Sequence, residues 1–108
     1  MFIDFTKLER TVADQLYGGN KSVEMKTYQD DKLKIVVGRL EPGASLGEHV
    51  HDPGFEVLYI QEGCGKVKVG EDYVPVYSGM CHYCETGSGH SLINDGNEDL
   101  IYFAVIGK

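Results

Sequence analysis

The chain has 108 residues, with 17 acidic against 10 basic side chains and a formal net charge of −7. That length suits one domain, 1–108, able to bury a core without disulfides or a structural metal. The acidity leaves no basic stripe for nucleic-acid phosphates or anionic membranes, and two arginines, Arg10 and Arg39, are too few for a phosphate clamp.

Residues 1–21 stand apart from the rest. Thr6 and Glu9 have the spacing of a capping box, and Leu8, Val12 and Leu16 follow at i+4. The spacing predicts a short helix ending near Gly18-Gly19, or else a segment lying extended on the barrel or a partner. The opening MFIDFTKLER mixes acidic and basic residues, so no signal peptide is expected. No run reaches membrane-spanning length. Three cysteines, Cys64, Cys81 and Cys84, are an odd, low count that suits a reducing compartment, so the cytoplasm is the expected location.

From Ser22 the pattern becomes short strands punctuated by Gly, Pro, Asn and Asp. Strands are expected at 22–29, 32–40, 47–51, 55–61, 65–69, 72–77, 80–84, 90–94 and 98–106. Strands of this length and spacing predict an all-β sandwich or barrel over 22–108. Two strands are apolar on both faces: Val57 and Tyr59 alternate with Leu58 and Ile60, and Ile101, Phe103 and Val105 with Leu100, Tyr102 and Ala104. Only one row of each can face the interior, so the other calls for a cover, either the N-terminal segment or a second subunit. A homodimer is expected on that ground.

Three of the four histidines fall on a strand-compatible grid with a carboxylate: His49, His51, Glu56 and His90. Residues i and i+2 of a strand share a face, so His49 and His51 point the same way. The turn Asp52-Pro53-Gly54 would fold Glu56 alongside them, and His90 opens a later strand. Imidazole nitrogen and carboxylate oxygen suit a divalent ion.

These residues resemble the cupin superfamily. Its first motif, G-x5-H-x-H-x3–4-E-x6-G, is matched by Gly43, His49, His51, Glu56 and Gly63. Its second, G-x5-P-x-G-x2-H-x3-N, is matched by Gly79, Gly87, His90 and Asn94, with Glu85 in the place of the proline. The resemblance implies an antiparallel jelly-roll barrel. It also implies one divalent metal ion (iron, manganese, nickel or zinc) on His49, His51, Glu56 and His90. It further implies a small metalloenzyme of dioxygenase, isomerase, decarboxylase or lyase type, acting on a small oxygenated or acidic molecule. The alternatives are a non-catalytic module that binds or senses a small ligand, and an ion that merely staples the fold.

Other side chains carry open readings. His82 is either a proton shuttle or a donor to a metal ligand if it faces inward, or an external histidine. Glu85 is either an acid or base at the rim or a solvated turn residue. If Leu33, Ile35 and Val37 face the core, Arg39 faces inward too, as a candidate for a substrate carboxylate. Tyr28, Tyr59, Tyr83 and Tyr102 are candidates for cavity lining or for packing. Cys81 and Cys84, three apart on a strand, are expected on opposite faces, which disfavours a redox pair.

Overall fold

The computed structural model describes residues 1–108. Ten antiparallel strands form two facing sheets. The six-stranded sheet runs in the order β1 (Thr11–Asp14), β2 (Ser22–Gln29), β3 (Leu33–Leu40), β10 (Leu100–Gly107), β5 (Phe55–Glu62), β8 (Cys81–Cys84). The four-stranded sheet runs β4 (His49–Val50), β9 (Gly89–Ile93), β6 (Cys64–Val69), β7 (Asp72–Tyr77). This is a jelly-roll barrel, one of the two architectures the strand spacing allowed and the one the cupin resemblance implied. No helix is long and apolar enough to cross a membrane.

The period-2 alternation sets the core. Leu58 and Ile60 of β5, Val36 and Leu40 of β3, and Leu100, Tyr102 and Ala104 of β10 point inward, where Leu46, Val67, Val76 and Leu92 of the facing layer meet them. Asn94, fully buried after β9, fastens a corner. Its amide donates to the carbonyls of Leu40 and Glu98 (2.9 and 2.8 Å), and its side-chain oxygen accepts from the Gly96 N–H at 3.0 Å. Those bonds satisfy a polar group that would otherwise be costly to bury.

The expected N-terminal helix is not formed. Residues Phe5–Lys7 make a single 3-10 turn, capped by Asp4 rather than Thr6, and Thr11–Asp14 are extended. β1 pairs with β2 from Thr11↔Met25 to Asp14↔Ser22, giving its backbone groups partners that an isolated short helix would not hold stably in water. Phe5 then sets its ring edge-on to Phe103, centroids 6.4 Å apart, and covers part of the outward row of β10.

The phase of β3 also differs from the expectation. Val36, Gly38 and Leu40 are the buried row, and Ile35, Val37 and Arg39 point away from the barrel. Both rows are apolar, so alternation alone could not choose between them. Gly38 decides the choice: it lies directly across from Tyr102, whose ring occupies the space a Cβ would need.

Candidate metal centre

β4 and β9 place His49 directly opposite His90. β5 places Glu56 on the same interior face, and His51 follows β4 into the turn toward β5. That turn closes through Gly54, whose φ is +102° and which packs against the Gly107 carbonyl, so no side chain fits there. The four side chains are nearly enclosed, with 11% (His49), 10% (His51), 5% (Glu56) and 3% (His90) of their area exposed.

Their donor atoms converge. Glu56 Oε1 lies 2.7 Å from His90 Nε2, 2.9 Å from His51 Nε2 and 3.5 Å from His49 Nε2. His90 Nε2 is 3.0 Å from His49 Nε2 and 3.3 Å from His51 Nε2. All four ligand atoms lie within 4.8 Å of one another. An ion with bonds of about 2.0–2.1 Å sets neighbouring ligand atoms ~3.0 Å apart at right angles and ~3.4 Å apart at tetrahedral angles. The five spacings above, 2.7–3.5 Å, bracket those values. Three imidazole nitrogens aimed at one point also bring lone pairs together, an arrangement that a shared cation relieves.

The supporting bonds favour the same end. The Gly47 carbonyl accepts from His49 Nδ1 at 2.8 Å, so Nδ1 carries the hydrogen and Nε2 is left bare in the neutral ring. His90 Nδ1 meets His82 Nδ1 at 3.3 Å, an arrangement that lets His90 donate backward while its Nε2 faces the cluster. Burial, partly offset by Glu56, holds the His51 imidazole below its ordinary pKa and so favours its neutral, ligating form. For Glu56, burial alone would raise the carboxyl. The imidazoles of His49, His90 and His51 gathered around its oxygen outweigh that and hold the group ionised far below the usual range.

A cavity of about 20 Å³ opens beside the cluster. His49, Glu56, Tyr17, Tyr102 and Lys34 contribute its polar lining. Tyr17 stacks on His49, rings 4.1 Å apart and inclined 21°. It sits in a strap whose Gln15, Tyr17 and Lys21 adopt φ of 49°, 55° and 57°. Non-glycine residues in that region are strained, and the surrounding bonds over-determine them. The Gly47 N–H donates to Leu16 O (2.9 Å), Ser45 N–H to Asn20 O (3.0 Å) and Gln15 N–H to Lys21 O (2.8 Å). Burial, then the Glu56 charge, raises the phenol pKa of both Tyr17 and Tyr102.

The remaining candidates separate. His82 faces inward against His90 and borders a second, apolar cavity of about 210 Å³ lined by β5, β6, β7 and the start of β8. Arg39, expected at the barrel mouth, lies on the outer face, 51% exposed and bound to Glu24 and Asp99 at 3.4 and 3.3 Å. Glu85 is in the exposed turn before His90, where its carbonyl accepts from the Ser88 N–H. Cys81 is exposed and Cys84 buried opposite Glu56, and all three cysteines are free. Of the four tyrosines weighed from sequence, only Tyr102 lines this cavity. Tyr17 and Lys34 were missed. The signal for Lys34 was its register with Val36, Gly38 and Leu40, and Tyr17 had none.

A family model for the cupin domain matches residues 36–106. The chain belongs to the cupin family. This cupin is 36% identical over 95 residues to an oxalate-binding protein of Thermotoga maritima, covering 82% of this chain and 78% of that one. Its fold superposes on the crystal structure of a predicted oxalate decarboxylase from Thermotoga maritima with a TM-score of 0.92. The identity there is 29%, and the match covers 99% of this chain and 98% of the other. A sugar phosphate isomerase of the superfamily from Silicibacter pomeroyi shares the fold at 19% identity and a TM-score of 0.83, across 100% of this chain and 76% of that one.

Proposed function

We propose that this cupin holds one divalent metal ion on His49, His51, Glu56 and His90 and uses it to bind, and act on, a small carboxylic acid of the oxalate class. The observation that carries the reading is the convergence of three imidazole nitrogens and one carboxylate oxygen within 4.8 Å, beside an accessible cavity. The bound ion would supply Lewis acidity and open positions for ligand oxygens. The chain supplies the rest. Gly47 O and His82 orient two of the imidazoles, and Tyr17 and the apolar wall exclude water from one side.

The Thermotoga relatives support the ligand class. The name of the 36% identical relative also favours a second reading, in which the ligand is bound without turnover. The outward apolar rows of β5 and β10 suit a second copy of the chain, so the proposed assembly is a homodimer. Light scattering that finds only monomer would remove that part.

The test is elemental analysis of protein purified without an affinity tag, followed by calorimetric titration with oxalate before and after chelation. One metal per chain and oxalate binding that vanishes on chelation are expected. Formate release separates turnover from binding. Failure to take up any divalent metal on reconstitution would end the reading.

A further inference from the structure

Two polar groups, Tyr102 and Lys34, line the cavity along with the metal cluster, and neither has a hydrogen-bond or ion-pair partner in the protein. Tyr102 is only 3% exposed, and its ring rests over Gly38. No fully enclosed side-chain nitrogen or oxygen lacks a hydrogen bond. The Tyr102 hydroxyl makes none, so it must reach the accessible surface of the cavity that its side chain lines. Lys34 is the first member of the inward row of β3, lines the same cavity and forms no ion pair. Every other inward position of β3 is apolar or glycine, so a lysine there serves no packing need.

Charge balance says what would sit between these groups and the cluster. Three neutral imidazoles and one carboxylate carry −1, and a divalent ion brings the cluster to +1. The Lys34 ammonium raises the cavity to +2. Charge in a partly enclosed site is costly when uncompensated, and a dianion compensates it fully. The enclosed space is about 20 Å³, little more than one water needs, so only a compact ligand that reaches in from the cavity mouth fits.

We propose that Tyr102 and Lys34 are the specificity residues of this site and that it takes a compact dicarboxylate dianion. One carboxylate lies at the His49/His51/Glu56/His90 cluster, and the other is read by the Tyr102 hydroxyl and the Lys34 ammonium. This rests on the metal-dependent binding proposed above and adds to it which residues recognise the ligand and what charge the ligand carries. Tyr102 donates a hydrogen bond to a ligand oxygen. Lys34 distinguishes two negative charges from one.

The test is calorimetric titration of manganese-loaded wild type, Tyr102→Phe, Lys34→Met and Lys34→Arg with oxalate and malonate, and with acetate as a monoanion. Metal content and melting temperature are measured on each. Metal content is expected to stay at the wild-type level in all four. Losing a hydrogen bond to a charged group weakens binding roughly tenfold or more, and Tyr102→Phe should lose that much for oxalate. Lys34→Met should lose a similar factor and much of the preference for oxalate over acetate, and Lys34→Arg should recover most of it. The proposal is overturned if Tyr102→Phe and Lys34→Met hold metal and bind both dianions within about twofold of wild type. It is also overturned if metal-loaded wild type binds neither dianion, an outcome that leaves the metal centre standing. Failure of wild type to take up metal would instead remove the metal-dependent reading itself, and this proposal with it.

Discussion

Replacing His90 by alanine removes the one side chain whose ligating nitrogen lies within 3.3 Å of the other three. What remains is a His51–Glu56 contact at 2.9 Å and a looser His49–Glu56 contact at 3.5 Å. A ligand that binds only the folded state stabilises it by about 2.7 kcal/mol at a free concentration 100 times its Kd. For a chain of this size each kcal/mol moves the melting temperature by roughly 4–8 °C, so metal at that level should raise wild type by about 10–20 °C. Loss of an outer hydrogen-bond partner already costs 10–100-fold in metal affinity, and loss of a direct ligand should cost at least ~100-fold. The variant would then stand near its Kd at the same free metal, which leaves about 0.4 kcal/mol and a rise of roughly 2–3 °C. In chelator the two proteins should melt within several degrees of each other, because the lost packing is partly offset by relief of crowded imidazole lone pairs. The assay is thermal denaturation followed by circular dichroism, in EDTA and in buffered manganese or zinc. Equal metal-induced rises in the two proteins would refute the assignment of His90 as a ligand.

Gly38→Ala forces the Tyr102 ring out of its seat, an overpacking expected to cost about 1–3 kcal/mol, and denaturant melts would read it as a lowered midpoint at unchanged slope. Asn94→Ala removes three hydrogen bonds, one buried and two part-buried, for a loss of roughly 2–4 kcal/mol by the same melts. His51 and His82 both have pKa values lowered by burial, so the unfolded chain binds more protons as pH falls. The stability they contribute is complete above the unfolded value of about 6.5 and is lost as pH drops below it. Melts of metal-free protein between pH 7.5 and 5 should therefore show a declining midpoint, and a flat profile would contradict the burial of these rings.

The barrel and the metal-site motif were legible for a common reason: each is written as a local pattern. Turn residues separate the strands, and the His49-x-His51 spacing sets a shared face before any tertiary contact exists. What was not legible depends on contacts between distant segments. Leu8, Val12 and Leu16 have helical spacing, yet Thr11–Asp14 gain more by pairing with β2. In β3 two apolar rows compete, and the row that wins is the one whose glycine admits the Tyr102 ring from β10. That choice moves Arg39 to solvent and turns Lys34 inward, so the cation facing the cavity changed identity with the strand's phase. Tyr17 carries no local signal. Its position over His49 follows from the strap bonded to Ser45 and Gly47.

The surface charge bears on how an anionic ligand reaches such a site. A net charge of −7 repels a dianion at long range. The attraction proposed here is local: the ion and Lys34 act across a few ångströms, where mobile salt screens weakly. Repulsion from surface carboxylates acts over distances comparable to the Debye length, about 30 Å at 0.01 M ionic strength and about 8 Å at 0.15 M. Raising salt across that range should therefore remove more repulsion than attraction. Oxalate association measured by stopped flow on the metal-loaded protein should quicken with salt, while dissociation, governed by the local contacts, should change little. Electrostatically steered binding gives the opposite slope. An association rate that falls with salt would mean that the field at the cavity mouth is positive well beyond Lys34, and the argument from net charge would be wrong.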